Sequence, residues 1–81
     1  MKRDKLEIIR SILLICGNGG AKKTKIVYKA NLNFKSADVY LNLLMDQKMI
    51  VKENTSFRTT PKGAELLANL KEVSASFDFK S

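Results

Sequence analysis

Apolar residues recur every three or four positions between Asp4 and Cys16, and polar residues fill the places between them. This spacing puts the apolar side chains on one face of a helix, so it predicts an amphipathic helix with a wide buried stripe. The stripe comprises Leu6, Ile9, Leu13 and Cys16, with Ile8, Ile12 and Ile15 beside them. Residues 17–20, which read GNGG, should end the helix because glycine accepts left-handed backbone conformations.

Two further helical patterns follow. Thr24 is expected to cap a short second helix that ends near Ala30. Asn33 is expected to cap a third helix that runs to about Gln47, after a tight turn around Leu32. The inward face of the third helix is predicted to hold Phe34, Ala37, Tyr40, Leu41 and Leu44, and its outward face Lys35, Ser36, Val39, Asn42 and part of Leu43.

The next apolar runs are too short for helices. Residues 49–52 and 56–59 are β-prone and are joined by polar residues 53–55, which predicts a hairpin. Thr60 and Pro61 should begin a fourth helix, with the threonine as cap and the proline at the first helical position. Gly63, in its first turn, should permit close approach to the hairpin.

The fourth helix is expected to end near Val73, because the segment SASFDFKS that follows has no clear period. Three helices, a hairpin and a final helix predict an α+β fold, mostly α, of the winged helix-turn-helix type. Residues 1–74 would form this domain, with a three-helix core, a β-hairpin wing and a C-terminal helix, and residues 75–81 would form a short C-terminal tail. In such a fold the third helix fits a DNA major groove about 12 Å wide.

The charge is confined to one part of the chain. Residues 1–35 contain nine Lys or Arg and two Asp or Glu, whereas residues 36–81 contain six of each kind. The whole net charge of +7 therefore belongs to the first 35 residues. A basic face of this kind attracts polyanions such as nucleic acid, although a solvated lysine-rich surface would look the same in the sequence.

The composition excludes several kinds of chemistry. The chain has no histidine and one cysteine, so Ser-His-Asp and Cys-His catalysis, Cys/His zinc sites and an internal disulfide are excluded. Cys16 is expected to be a buried apolar residue. No apolar run reaches the roughly 18 residues that a membrane span needs. We expect a cytoplasmic protein of 81 residues without enzymatic activity, cofactor, metal or membrane partner.

The stretch GNGGAKKTK, residues 17–25, looks like a phosphate-binding loop of the form G-x-x-x-x-G-K-[ST]. The match is broken, because Lys22 stands where the second glycine belongs. The glycines also follow a predicted helix, whereas a phosphate loop follows a strand. We therefore interpret the stretch as the connection between the first two helices, whose lysines and free N–H groups suit a DNA phosphate.

The run GGAKKTKIVYKANLNFKSADVYLNLL, with the later MIV strand and the TTPKGAELL helix start, resembles a small archaeal winged-helix DNA-binding family. That family includes the Sulfolobus ten-kilodalton chromatin proteins, and the resemblance covers about residues 4–73. It implies binding of double-stranded DNA as a transcriptional regulator or nucleoid protein. Chromatin members dimerise through a long C-terminal helix; the fourth helix here is predicted to be shorter, so a homodimer through it is left open.

Candidate contacts follow from the predicted outward faces. The candidates for base contacts are Lys35, Ser36, Val39 and Asn42, and those for phosphate contacts are Lys22, Lys23, Thr24, Lys25, Lys29, Lys52 and Arg58. Asp38 would repel phosphate, and it is expected instead to stabilise the start of the third helix. Tyr28, Phe34 and Tyr40 are expected to be core residues, because aromatic residues at helical spacing usually are.

A second hypothesis also fits the element order. The winged helix could dock onto a protein partner in a larger assembly, with Leu43, Met45 and Met49 as its apolar anchor. The lysines around the second and third helices favour DNA, because protein-docking surfaces are usually depleted in lysine.

Overall fold

The computed structural model describes residues 4–17 and 19–80, with side chains described as far as Leu70. The elements are α1 (Lys5–Cys16), β1 (Ala21–Lys22), α2 (Lys23–Ala30), α3 (Phe34–Asp46), β2 (Ile50–Glu53), β3 (Ser56–Thr59) and α4 (Pro61–Lys80). The predicted order of three helices, a hairpin and a further helix is confirmed. The two-residue strand β1 was not predicted.

Helix α1 begins at a side-chain cap. The Oδ1 atom of Asp4 accepts a hydrogen bond from the backbone N–H of Glu7 at 2.8 Å. The helix ends at Gly17, which keeps a right-handed conformation with φ −78°. The left-handed conformations expected at this end occur later, at Gly19 (φ 86°) and Gly20 (φ 92°), where they turn the chain into β1.

Helix α2 begins two residues earlier than predicted. Its N-cap is Lys22, which makes no side-chain capping bond, so the prediction that Thr24 caps this helix is wrong. The cause is β1: Lys22 is held extended against Ser56 of β3, and the chain enters the helix directly at Lys23. The predicted cap of α3 is confirmed, since Asn33 Oδ1 accepts from the Ser36 N–H at 2.7 Å.

The three strands form an antiparallel sheet in the order β1-β3-β2. In the hairpin, Ile50 pairs with Thr59 and Glu53 pairs with Ser56, so the turn is two residues rather than the three predicted. The central strand β3 also joins the sheet to α1, because Thr59 Oγ1 donates to the Leu13 carbonyl at 2.7 Å. The hairpin is thereby fixed to the helical core.

The core lies between α1, α2, α3 and the sheet. Its buried side chains are Ile12, Leu13, Cys16, Ala21, Ile26, Ala30, Leu41, Leu44, Ile50 and Phe57. Two aromatic residues that were expected inside lie outside: Tyr28 is 89% exposed and Phe34 is 51% exposed. Phe34 is the first residue of α3 and projects beyond the buried stripe that begins at Ala37. Tyr28 lies on the face of α2 opposite Ile26.

Helix α4 starts as predicted but continues further. Pro61 is its first residue, and Thr60 Oγ1 accepts from the Gly63 N–H at 3.2 Å. The helix runs for 20 residues to Lys80, so the predicted end near Val73 is wrong. Residues 74–80 contain no glycine or proline, and nothing in them stops helix propagation. The division of the chain into a domain and a tail at residue 74 stays a prediction.

The hydroxyl of Thr60 joins α4 to the end of α3. It donates to the Lys48 carbonyl at 2.7 Å while accepting from Gly63. We expect Thr60→Val to lower the free energy of unfolding by about 1–2 kcal/mol, because a cap and a further hydrogen bond are lost together. Thr60→Ser keeps the hydroxyl and should stay within about 0.5 kcal/mol of the parent in urea denaturation. A loss of stability in Thr60→Ser with none in Thr60→Val would show that the methyl group, rather than the hydroxyl, stabilises this junction.

Candidate nucleic-acid interface

The outward face of α3 is open to solvent. Successive helical residues are about 100° apart, so Lys35, Val39, Asn42 and Asp46 share one face, opposite the buried Ala37, Leu41 and Leu44. Lys35 and Asn42 are exposed, and Val39 is 62% exposed. Ser36 lies at the edge of this face and is half-buried. The structure therefore brings three of the four candidates for base contacts together and sets Ser36 to one side.

A groove of about 250 Å³ separates α3 from the hairpin. Its polar lining consists of Lys23, Asp38, Asn42, Lys52 and Thr55, and its apolar lining of Leu41, Met45 and Phe57. The hairpin thus stands beside α3 with Lys52 facing the same space as Asn42. The ammonium of Lys52 lies 5.7 Å from the centroid of the Phe57 ring, a distance at which cation–π attraction holds it over the groove.

Lys23 points from α2 toward α3. Its ammonium pairs with Asp38 Oδ1 and lies 5.8 Å from the centroid of the Phe34 ring. Asp38 therefore does not act on the start of α3 as expected, since Asn33 caps that helix and the Asp38 carboxylate turns to α2. The two residues are distant in the sequence, and no local pattern indicates the pair.

The basic residues of the hairpin differ in their surroundings. Arg58 of β3 pairs with Glu53 of β2, with 2.5 Å between Arg58 Nη2 and Glu53 Oε2, and both side chains are about half exposed. The Glu53 carboxylate neutralises much of the Arg58 charge. Lys52 makes no ion pair among the residues with described side chains, so it carries the free positive charge of the wing.

Lys25 and Lys29 lie on another face. They border a shallow depression of about 260 Å³ with Leu14 and Ile15 of α1. Helical geometry puts Lys23 in line with the buried Ala30, whereas Lys25 and Lys29 lie on the far side of α2. Lys22 and Thr24 are exposed at the start of α2. The lysines predicted to contact phosphates are therefore divided between two faces of the molecule.

The described part of the chain gives little support for a reactive thiol, a metal site or a membrane span. Cys16 is buried as predicted, and burial raises the pKa of its thiol to about 11, so it is not a thiolate at neutral pH. Among the side chains of residues 4–17 and 19–70, no group of three or more potential metal-ligating Cys, Asp or Glu residues comes together. No helix in that part of the chain has the length and apolarity needed to cross a membrane.

Solved structures share this architecture. A DNA-binding protein from Sulfolobus solfataricus, Sso10a-2, superposes with a TM-score of 0.80 at 28% identity, over 94% of this chain and 83% of that chain. T. acidophilum IdeR superposes with a TM-score of 0.63 at 26% identity, over 78% of this chain and 31% of that one. The helices, sheet and hairpin described above thus recur in proteins of different length.

Two relatives come from the archaeon Methanocaldococcus jannaschii. The uncharacterized protein MJ0290 is 44% identical over 73 residues, and the uncharacterized protein MJ0287 is 35% identical over 72 residues. The match covers 90% of this chain but 35% of MJ0290, so the chain spans about a third of that relative's length; the corresponding shares are 89% and 74% for MJ0287. Residues 2–77 match the winged helix-turn-helix family, and the chain belongs to that family.

Proposed function

We propose that this protein binds double-stranded DNA, with α3 in the major groove and the hairpin wing on the adjacent backbone. The observation that carries the proposal is the open face of α3 beside a groove with lysines on both walls, in a chain of net charge +7. The structural likeness to a DNA-binding protein supports it. The role we infer is that of an archaeal transcriptional regulator or architectural nucleoid protein, which is cytoplasmic and non-catalytic.

Within that proposal the residues have separate roles. Lys35, Val39 and Asn42 would reach base edges, because they lie in the middle of the exposed face of α3. Asn42 can make a paired contact to adenine and Val39 can touch a thymine methyl. Ser36 would contact a flanking phosphate or base from the edge of that face. Lys52 would contact the phosphates beside the groove.

The remaining candidates for phosphate contacts differ in how freely a DNA phosphate could reach them. Lys22, Lys23 and Thr24 surround the start of α2, where free backbone N–H groups also favour an anion. Arg58 would bind phosphate only in competition with Glu53. Lys25 and Lys29 face α1 and would add to long-range attraction more than to direct contact.

The proposal is tested by titrating a labelled duplex at several salt concentrations. If about five phosphates are neutralised, the slope of log K against log salt should be roughly −4 to −5. A slope near zero, or no binding at about 50 mM salt, would overturn DNA binding. The assay should include a duplex of unrelated sequence, because a shared slope with unequal affinities separates a specific regulator from an architectural protein.

Docking onto a protein partner is less well supported by the surface. Of the three residues expected to form an apolar anchor, Met45 and Met49 pack against the core, and only Leu43 is exposed, at 45%. A single exposed leucine is ordinary for a soluble surface. We therefore keep DNA as the proposed partner.

A homodimer through α4 is part of the proposal. The helix is 20 residues long, which gives it about 30 Å for contact with a second copy. A dimer would place two α3 helices on half-sites about one DNA turn apart. Sedimentation of the free protein tests this, and a monomer at the concentrations that saturate DNA would contradict it.

A further inference from the structure

Asp38 is the carboxylate of α3 that lines the groove beside the wing, and attraction to phosphate does not explain it. It lies in the second turn of α3, its side chain is 54% exposed, and it lines the groove that faces the wing. A carboxylate there repels the DNA backbone and weakens binding. Its ion pair with Lys23 lies at the surface, with the Lys23 side chain 35% exposed, and such pairs contribute little to stability. Neither affinity for DNA nor stability accounts for a carboxylate at this position.

The neighbours of Asp38 make it available to a base. Asn42 lies one helical turn further along α3 and lines the same groove. The Lys23 ammonium engages Oδ1 of Asp38, and no other bond to this carboxylate is formed among the described residues. Oδ2 can therefore accept a hydrogen bond while Lys23 fixes the direction of the carboxylate and offsets its repulsion of nearby phosphates.

An ionised carboxylate accepts hydrogen bonds and donates none, which restricts the bases that it can read. In the major groove the donors are the amino groups of cytosine (N4) and adenine (N6). Adenine also presents the acceptor N7 beside N6, and that lone pair repels a carboxylate. Guanine presents two acceptors and thymine one acceptor and a methyl group. Cytosine is the base whose edge fits Asp38.

We propose that Asp38 reads a cytosine through its N4 amino group, with Lys23 as the positioning residue. This inference rests on the proposed insertion of α3 into the major groove. Asp38 and Asn42 together would then specify two neighbouring positions of the bound sequence, while Lys52 and the start of α2 hold the backbone on either side. A recognition surface of this kind favours a protein that prefers particular sequences over one that coats DNA uniformly.

The test is selection of bound duplexes from a random pool with the parent chain, Asp38→Ala and Asp46→Ala. Asp46 is the comparison on the same helix: it shares the outward face with Lys35 and Asn42, but it is the last residue of α3 and does not line the groove. It therefore tests whether the position in the groove, rather than a carboxylate on that face, selects cytosine. The parent should favour cytosine at one position by about fivefold or more. Asp38→Ala should lose that preference and bind duplexes of random sequence several-fold more tightly, whereas Asp46→Ala should keep the cytosine.

The outcomes separate this inference from the function on which it rests. If the parent binds no duplex at low salt, DNA binding itself fails. If the parent binds but selects no cytosine, or if the cytosine preference survives in Asp38→Ala, the role of Asp38 is overturned and DNA binding stands. Circular dichroism of each variant confirms that the fold is retained, which is expected because Asp38 is exposed.

Discussion

Replacement of Gly63 by alanine is expected to lower the free energy of unfolding by about 3 kcal/mol, although alanine is the better helix former. A Cβ atom at this position would clash with the carbonyl oxygen of Met49 and would lie 2.9 Å from Thr59 Cγ2. Thr59 is the last residue of β3, and Met49 lies at the junction where the chain leaves α3 for the hairpin. The added methyl group must therefore displace backbone, which costs more than turning a flexible side chain.

That junction has little freedom to move. The Met49 carbonyl already accepts a hydrogen bond from the Thr60 N–H at 2.9 Å, and Thr60 Oγ1 holds the Lys48 carbonyl at 2.7 Å. Relief of the clash would stretch these bonds or shift the first turn of α4 away from Met49. The gain in helix propensity, about 1 kcal/mol, offsets only part of this loss.

Gly19→Ala is the matched control for this prediction. Gly19 has φ 86°, but a Cβ atom there would meet nothing within 4 Å, so its replacement reports only the cost of a left-handed alanine, about 1–2 kcal/mol. Urea denaturation should therefore rank the parent first, Gly19→Ala second and Gly63→Ala last. A Gly63→Ala variant as stable as the parent would mean that α4 and the hairpin can move apart without loss of stability.

The sequence predicts the elements whose signals are local. The predicted caps Asn33 and Thr60 act on N–H groups three residues away, and the hydrophobic period of α3 separates its buried face from its exposed one. Strand β1 is different: two residues cannot show alternation, and their extended form depends on pairing with β3, far along the chain. The misplaced start of α2 is a direct consequence of that missing strand.

In the candidate interface, too, local features are predictable from the sequence and features that depend on tertiary structure are not. The exposed positions of α3 were predictable because burial follows the helical period. The ion pair Lys23–Asp38 depends on how α2 packs against α3, and Arg58–Glu53 depends on strand register. The sequence therefore does not indicate which basic side chains have a carboxylate partner. The sequence does contain one further signal about the lysines of α2: Lys23 lies on the same helical face as Ala30, whereas Lys25 and Lys29 lie on the other side. That difference alone divides the lysines of α2 into two groups.

The two groups of lysines should contribute unequally to DNA binding, and this is the second large effect that we expect. Lys23→Gln with Lys52→Gln removes the two lysines of the groove beside α3, and Lys25→Gln with Lys29→Gln removes the two beside α1. Each double variant lowers the formal net charge from +7 to +5, so long-range attraction falls equally. A difference between them must arise from position.

The groove variant should bind duplex DNA about 10- to 100-fold more weakly, and its salt slope should become shallower by about 1–2, because the phosphate contact of Lys52 is lost and Lys23 no longer offsets the charge of Asp38. The variant beside α1 should lose roughly threefold or less and keep its slope within about 0.5. Titrations of both proteins on one duplex at three salt concentrations measure these quantities. Equal losses would mean that the α1-facing side of α2 also lies against the backbone, and a larger loss in the second variant would require that α2, rather than α3 and the wing, forms the centre of the contact.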